Sequence, residues 1–196
     1  MELETERLIL RPWREDDAES LYKYAKSEEV GPAAGWPAHR SVEESREIIR
    51  NILQADETYA VVLKATGEPV GSVGLMIGAE SNIGLPVDEC EVGYWIGVPY
   101  WGQGLIPEAV REMERRAFED LGMKKVWAGY FDGNEKSKRV QEKCGLRYVE
   151  TREGVTSQLI GEVRTEHITC ITREEWEGRG EKREREKERR GRGNSL

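Results

Sequence analysis

The sequence predicts an α/β protein, with a mixed sheet carrying helices on both faces. Three observations carry this. Strand-like and helix-like patterns alternate along the chain in the order β-α-α-β-β-β-α-β-α-β-β. One stretch, Glu91 to Leu121, joins an aromatic, β-branched strand to an amphipathic helix through a glycine-rich turn. A length of 196 residues with 37% hydrophobic content fits one domain with a sizeable core.

Leu8 to Trp13 reads as the first strand. Glu15, Asp16 and Asp17 place negative charge where a helix begins, and Ala18, Leu21, Tyr22 and Ala25 give that helix its apolar face. Gly31 to His39 is rich in glycine and proline and reads as an irregular loop. Ser41 and Glu44 form a capping-box pattern for a second helix, whose buried side would be Val42, Ser45, Ile48, Ile49, Ile52 and Leu53. Thr58 to Ala65 and Pro69 to Ile77 are strands joined by a short turn at Thr66-Gly67-Glu68. Ala79 to Glu89 connects them to the strand Glu91 to Val98, which ends at Pro99 for want of an amide hydrogen. Ile106, Ala109, Val110, Met113, Ala117 and Leu121 then recur near the helical period. Pro107 suits the first turn of that helix and Gly122 its C-terminal cap. Lys125 to Phe131 is a strand, and Asn134 favours the N-cap of another helix. Arg147 to Arg152 and Val163 to Thr172 are the last strands, with Glu153 to Gly161 as a loop over the site. Residues 1–177 therefore form one domain and 178–196 a tail. Glu181 to Arg192 is nearly all charged without an apolar stripe, and such a run cannot bury enough surface to offset its ordering entropy.

Charged residues make up 35% of the chain, and the net charge is −8. From Glu177 onward eight basic and five acidic residues give a local +3, which leaves −11 on the body. An acidic body argues against nucleic acid as the main partner. It is compatible with a cationic amine drawn in by the field, and equally with acidity that serves only solubility. No apolar run approaches the ~20 residues of a membrane span, and the acidic start Met1-Glu-Leu-Glu-Thr-Glu is not a signal peptide. The three cysteines, Cys90, Cys144 and Cys170, lack metal-ligand spacing and read as buried small hydrophobes in a reducing cytoplasm. No metal is expected, and monomer and homodimer both stay open.

Gly102 and Gly104 bracket Gln103 and let the backbone turn tightly with its amides exposed. A strand running through such a turn into a helix N-terminus makes an anion site suited to phosphate or pyrophosphate. No Gly-Lys-Ser/Thr follows, so the turn is not a nucleoside-triphosphate loop, and it is too short for the Gly-x-Gly-x-x-Gly dinucleotide fingerprint. A plain connection using glycine for geometry would look the same.

Downstream stand Asn134, Ser137, Glu142-Lys143 and Gly145-Leu146. Together with Trp101-Gly-Gln-Gly104-Leu-Ile106, these residues resemble the GNAT superfamily of acetyl-CoA-dependent N-acyltransferases. That family's signatures are R/Q-x-x-G-x-G/A and, later, Asn-x-x-Ser/Ala followed by Glu-Lys-x-Gly-Phe. Thr5 to Trp13 and His167 to Trp176 extend the likeness toward the RimJ/RimL-like branch of ribosomal-protein N-terminal acetyltransferases, so that it covers about residues 3 to 177. The resemblance implies a mostly antiparallel central sheet whose fourth and fifth strands splay apart. It places the pantetheine arm of acetyl-CoA between them, against the backbone of Ile96 and Val98 and near Asn134. It places the pyrophosphate on Gln103, Gly104, Leu105 and Ile106. Trp101 stands where many members carry Arg or Gln, Ile106 where they carry Gly or Ala, and Gln141 where many carry a tyrosine that protonates the departing thiolate.

Acyl transfer to an amine needs a base for the ammonium proton, a donor for the tetrahedral oxyanion and help for the leaving thiolate. The resemblance implies Glu91 as the base, acting through water, and Ser137 as the donor to the thiolate. Alternation puts Glu91, Gly93 and Trp95 on one strand face, with Glu89 continuing it. Glu91 also reads as a structural strand-end charge, and Ser137 as a helix serine bonded to its own backbone. Trp36, Tyr59, Tyr94 and Trp127 are aromatics of either core or substrate slot, and His39 and His167 have no partner legible in the sequence. The reading is an N-acetyltransferase that moves acetyl directly to a primary amine in a ternary complex. The amine is a protein N-terminus or a small molecule. The alternatives are a small-molecule or antibiotic amine acetyltransferase and a non-catalytic acyl-CoA sensor on the same fold.

Overall fold

The structure, a computed structural model, describes residues 1–180; the charged run from Glu181 lies outside the described residues. The strands are β1 (Leu3–Glu4), β2 (Leu8–Arg11), β3 (Thr58–Leu63), β4 (Pro69–Ile77), β5 (Glu89–Ile96), β6 (Lys125–Phe131), β7 (Arg147–Ser157) and β8 (Glu162–Thr172). They form one sheet in the order β1-β2-β3-β4-β5-β6-β8-β7, antiparallel except where β5 meets β6. The helices are α1 (Ala18–Ala25), α2 (Gly31–Ala34), α3 (Val42–Ile48), α4 (Leu105–Arg115) and α5 (Glu135–Cys144). This is the mixed, mostly antiparallel sheet that the sequence leads one to expect.

Strand alternation divides the core into two layers. In β3, Tyr59 and Val61 face the layer of α4, with Val110, Met113 and Phe118, whereas Ala60 and Val62 face Trp13, Leu21, Ala25 and Ile49 on the side of α1 and α3. Arg11 and Asp17 fix the entry to α1: two bonds of 2.7 and 2.8 Å join guanidinium and carboxylate, and Asp17 also accepts from the Arg14 amide at 2.9 Å. Both side chains are about nine-tenths buried (10% exposed). The Asp17 hydrogen bond outweighs burial and raises the Arg11 pKa.

Several boundaries differ from the expectation. The short strand β1 was not foreseen. Tyr24, not Tyr22, takes the buried place in α1. The glycine-rich loop contains the single helical turn α2, which Pro32 favours at its start. Ile52 is 60% exposed because residues 49–53 form a π-turn, with the Gln54 amide bonding to Ile49 O, and this shifts the helical phase. β7 runs on to Ser157 instead of stopping at Arg152, passing two register shifts, so the expected loop shrinks to the turn at 158–161. Residues 173–180 are helical, so ordered structure passes the boundary expected at 177. There Trp176 packs on Phe118 at 5.3 Å and Arg179 donates to the carbonyl of Cys144.

Removing Asp17 would strand a buried guanidinium. Asp17→Ala should lower unfolding free energy by about 3–5 kcal/mol, read from the urea midpoint. A loss below about 1 kcal/mol, the scale of an exposed pair, would show that the pair is exposed in solution.

Candidate active site

β5 and β6 run parallel and share only the partners Glu89–Lys125, Cys90–Val126 and Glu91–Trp127. Beyond these, β5 stays with β4 as far as Ile96–Gly71, and β6 stays with β8 as far as Phe131–Glu166. The strands therefore part, and along the gap each keeps one backbone edge without a strand partner among the described residues.

The turn after β5 lies at one end of this gap. Gly102 and Gly104 have φ of +72° and +75°, which glycine alone adopts without strain. A Cβ at Gly102 would meet nothing within 4 Å, and one at Gly104 only Arg7 Nη2 at 3.6 Å, so backbone conformation and not crowding dictates glycine here. Gly104 is the N-cap of α4, and the Glu108 amide makes the first intrahelical bond, to Gly104 O. The amides of Leu105 and Ile106 precede it and are left for a ligand.

Arg7 pins this turn to the N-terminal strands. Its Nη1 donates to Gln103 O at 3.0 Å, and its Nε and backbone amide reach Glu108 at 2.7 and 2.8 Å. Thr5 Oγ adds a bond of 2.5 Å to the same carboxylate. Burial alone would push Glu108 up, but the bonds from Thr5 and Arg7 together hold it below the ordinary glutamate value. Trp101 donates from Nε1 to Ile96 O and from its amide to Val98 O, so both carbonyls expected to face the pantetheine arm already accept one bond. Lys136 of α5 lies 3.7 Å above the Trp101 ring and ties the turn to the far wall of the gap.

Glu91 sits where the strands part, 5% exposed, and its Oε2 accepts from Ser81 Oγ at 2.8 Å and the Asn82 amide at 2.9 Å. Glu89 is committed elsewhere: Trp127 Nε1 donates to it at 2.6 Å and Lys125 Nζ lies at 3.2 Å. Sequence reasoning missed Glu166. It lies opposite Phe131 in β8, with its carboxylate over Gly129, where a side chain would collide with it. Burial, and next the charge of Glu91, raise its pKa, against a weaker pull from Arg152. A lone carboxylate alternating with Ile168 and Cys170 was the signal available.

On the opposite face, Asn134 caps α5 by accepting from the Ser137 amide at 3.2 Å, as expected, and also donates to Ala33 O. Ser137 Oγ lies 2.8 Å from Tyr94 OH and 3.3 Å from Gln141 Nε2. Gln141 is 1% exposed and also bonds Gly129 O at 3.0 Å and Thr169 Oγ at 2.7 Å, so it is a strut between α5 and the sheet. The segment over the carboxylate face is the α2 loop, held by Ser157 to Gly35 O, Arg164 to Pro32 O and Trp36 on Trp95. Tyr59 is a core residue bonded to Glu57. His39 pairs with Ser45, and His167 with Asp132 and Thr151. All three cysteines are buried, and none forms a disulfide. Among the described residues, no group of His, Cys, Asp and Glu is arranged to hold a metal, and no helix is long and apolar enough to cross a membrane.

A parted parallel pair, a glycine-capped helix start and a carboxylate at the fork occur together here, and the acetyltransferase (GNAT) domain family matches residues 7–147. The chain belongs to the GNAT acetyltransferases. It is 27% identical over 174 residues to the uncharacterized N-acetyltransferase YoaA of Bacillus subtilis, covering 86% of this chain and 93% of YoaA. Among solved structures, the ribosomal-protein-S5-alanine acetyltransferase of Vibrio fischeri superposes with a TM-score of 0.69 at 21% identity, covering 90% and 98% of the two chains. The microcin C7 self-immunity acetyltransferase MccE, solved with acetyl-CoA and AMP, does so with 0.65 at 18% identity, covering 86% and 93%. These two likenesses show a shared GNAT fold.

Two outcomes test the site's framework. Gln141→Ala leaves the Gly129 carbonyl without its Gln141 partner and the Thr169 hydroxyl with only its 3.3 Å bond to Ala128 O in a dry setting, and should cost roughly 1–3 kcal/mol plus a cavity contribution. An unchanged urea midpoint would show the strut to be dispensable. Because the Glu108 pKa is depressed in the fold, its contribution is complete above the ordinary glutamate range and is lost as pH falls through the lower folded value. Glu108→Gln should therefore melt below wild type at pH 7 and converge with it only as pH falls below the lowered folded-state value, under the ordinary glutamate range. Equal melting temperatures at pH 7 would dissolve the tie.

Proposed function

We propose that this GNAT domain transfers acetyl from acetyl-CoA to a primary amine, directly and within a ternary complex. The observation that carries this is the gap between β5 and β6, with free helix amides at one end and the Glu91 carboxylate and Ser137 hydroxyl on its two sides. The residues fit the co-substrate. Leu105 and Ile106 offer amides to a pyrophosphate at the positive end of α4, beside the backbone of Gln103 and Gly104. The facing edges of β5 and β6, with the turn at Val98 that follows β5, offer backbone groups to the amides of a pantetheine arm, along Ile96 and Val98 and toward Asn134. The MccE complex supports acetyl-CoA on this fold.

In the reaction the neutral amine bonds to the acetyl carbon and the carbonyl becomes an oxyanion. As the oxyanion collapses the carbon–sulfur bond breaks and its electron pair stays on sulfur. The amine's proton passes to Glu91, directly or through water. Glu91 fits the role because Ser81 and Asn82 fix one carboxylate oxygen and leave Oε1 to accept a proton. Glu89, held by Trp127 and Lys125, does not. Ser137 donates to the departing thiolate. The acceptor is a protein N-terminal amine of the RimJ/RimL-like kind or a small amine, acetylated in the cytoplasm. The likeness to the S5-alanine enzyme supports the former.

A thiol-release assay with acetyl-CoA against N-terminal peptides and small amines tests this reading, and no release with any amine would leave an acyl-CoA sensor. Glu91→Gln keeps an oxygen for Ser81 and Asn82 but removes the proton acceptor. It should lower turnover roughly 10²- to 10³-fold near neutral pH with acetyl-CoA affinity unchanged. The deficit should shrink above about pH 8, where more of an α-amine is already neutral. Wild-type turnover in this variant would exclude Glu91 as the base. Gly104→Val forces a β-branched residue into positive φ and should abolish thermal stabilisation by acetyl-CoA. Equal stabilisation of variant and wild type would move the pyrophosphate elsewhere.

A further inference from the structure

We infer that Tyr94 is a positioning residue that aims the Ser137 hydroxyl at the sulfur of the leaving thiolate, as the penultimate link of a one-way chain of hydrogen-bond donors. The inference rests on the acetyl-CoA reading and extends it to a residue on β5.

The chain starts from a group whose orientation is fixed. Gly129 O lies 3.0 Å from Gln141 Nε2, and only the amide nitrogen can face a carbonyl, so the orientation of Gln141 is fixed. Its Oε1 then accepts the Thr169 hydroxyl at 2.7 Å. One Gln141 hydrogen serves Gly129 O, and the other points toward Tyr94 OH at 3.2 Å and Ser137 Oγ at 3.3 Å. In the inferred chain the phenol oxygen accepts that hydrogen and gives its own to Ser137 Oγ at 2.8 Å, a contact in which either hydroxyl can donate to the other, in preference to the carbonyl of Ser137 at 3.2 Å. Ser137 Oγ thus receives a donor from the sheet side, and its own hydrogen is left for the gap. Each link polarises the next, which strengthens the terminal donor beyond a lone serine.

Tyr94 lies beyond Glu91, in the part of β5 that has separated from β6. It reaches from the strand into the space beside Gln141, the position where many family members carry a tyrosine on the helix. Burial pushes its phenol up to about 12, against the bonds to Ser137 and Gln141, so the group stays a protonated donor throughout the range in which an amine becomes neutral. When the carbon–sulfur bond breaks, its electron pair stays on sulfur and the Ser137 O–H bonds to it. Tyr94 keeps its proton, and the thiolate takes its final proton from the solvent or from the amine's proton held on Glu91.

The test uses the full chain and two readouts. Calorimetry follows CoA and acetyl-CoA affinity from pH 7 to 9.5. A site aiming a donor at sulfur should bind CoA roughly tenfold more tightly as its thiol ionises near pH 8.5, while acetyl-CoA, which has no such proton, stays level. Tyr94→Phe, which keeps the ring, should lose that tightening, as should Ser137→Ala. The second readout is a double-mutant cycle on turnover. Each single variant should fall roughly ten- to a hundredfold with KM for acetyl-CoA nearly unchanged, and the double variant should fall no further than the worse single. Losses that multiply, or a Tyr94→Phe variant that keeps both the tightening and full turnover, would overturn the inference. Wild-type CoA binding that ignores pH would overturn it as well. A wild type that shows the tightening, lost in both variants, yet acetylates no amine would uphold the donor chain and overturn the transfer reaction instead.

Discussion

Everything at the candidate site depends on β5 and β6 separating after three residue pairs. Two parallel strands would ordinarily continue their ladder, because unpaired amides and carbonyls inside a protein are costly. Here the separation is held from both sides. β4 keeps β5, β8 keeps β6, and Gln141 reaches from α5 to hold Gly129 O. The open edges are then a demand for hydrogen-bonding groups of the spacing of a peptide, which a pantetheine arm carries. The same divergence brings the start of α4 to the mouth of the gap, so that in the proposed complex the polar demand of two strand edges and of one helix terminus would be met by one ligand.

The sheet also divides acid from base. Successive residues of β5 point to opposite faces, so Glu91 and Trp95 look toward the α2 loop while Tyr94 looks toward α5. Carboxylates gather on the first face, where burial, and next the charge of Glu91, raise the Glu166 pKa. Neutral donors gather on the second. In the proposed reaction, Glu91 and Ser137 therefore approach the same gap from opposite faces without competing for each other. β5 supplies Glu91 to one face and Tyr94, the support of Ser137, to the other through the pleat alone.

What could be read in the sequence was whatever a local rule compels. Gly102 and Gly104 were legible because positive φ admits little else and Asn134 because its side chain caps its own helix, whereas Glu91 was named only through the family resemblance. What stayed hidden depends on distant partners. Glu166 enters the site through the register of β6 with β8. β7 outlasts its expected end where Ser157 meets Gly35, more than a hundred residues away in sequence. Tyr94 looked like any core aromatic until Ser137 and Gln141 were beside it. Ile52 obeyed the helical period in the sequence, but the π-turn moved it outward.

The Arg7–Glu108 tie has a consequence for how the molecule breathes. Partners 101 residues apart in sequence hold the Gly102–Gly104 turn against the opening strands of the chain. Whatever tightens that turn must, by reciprocity of linkage, also slow the fraying of β1 and β2 from the sheet edge. Occupancy of the cofactor gap is thereby written into the exchange rates of amides that never touch the cofactor, and the outermost hairpin of the sheet becomes its reporter.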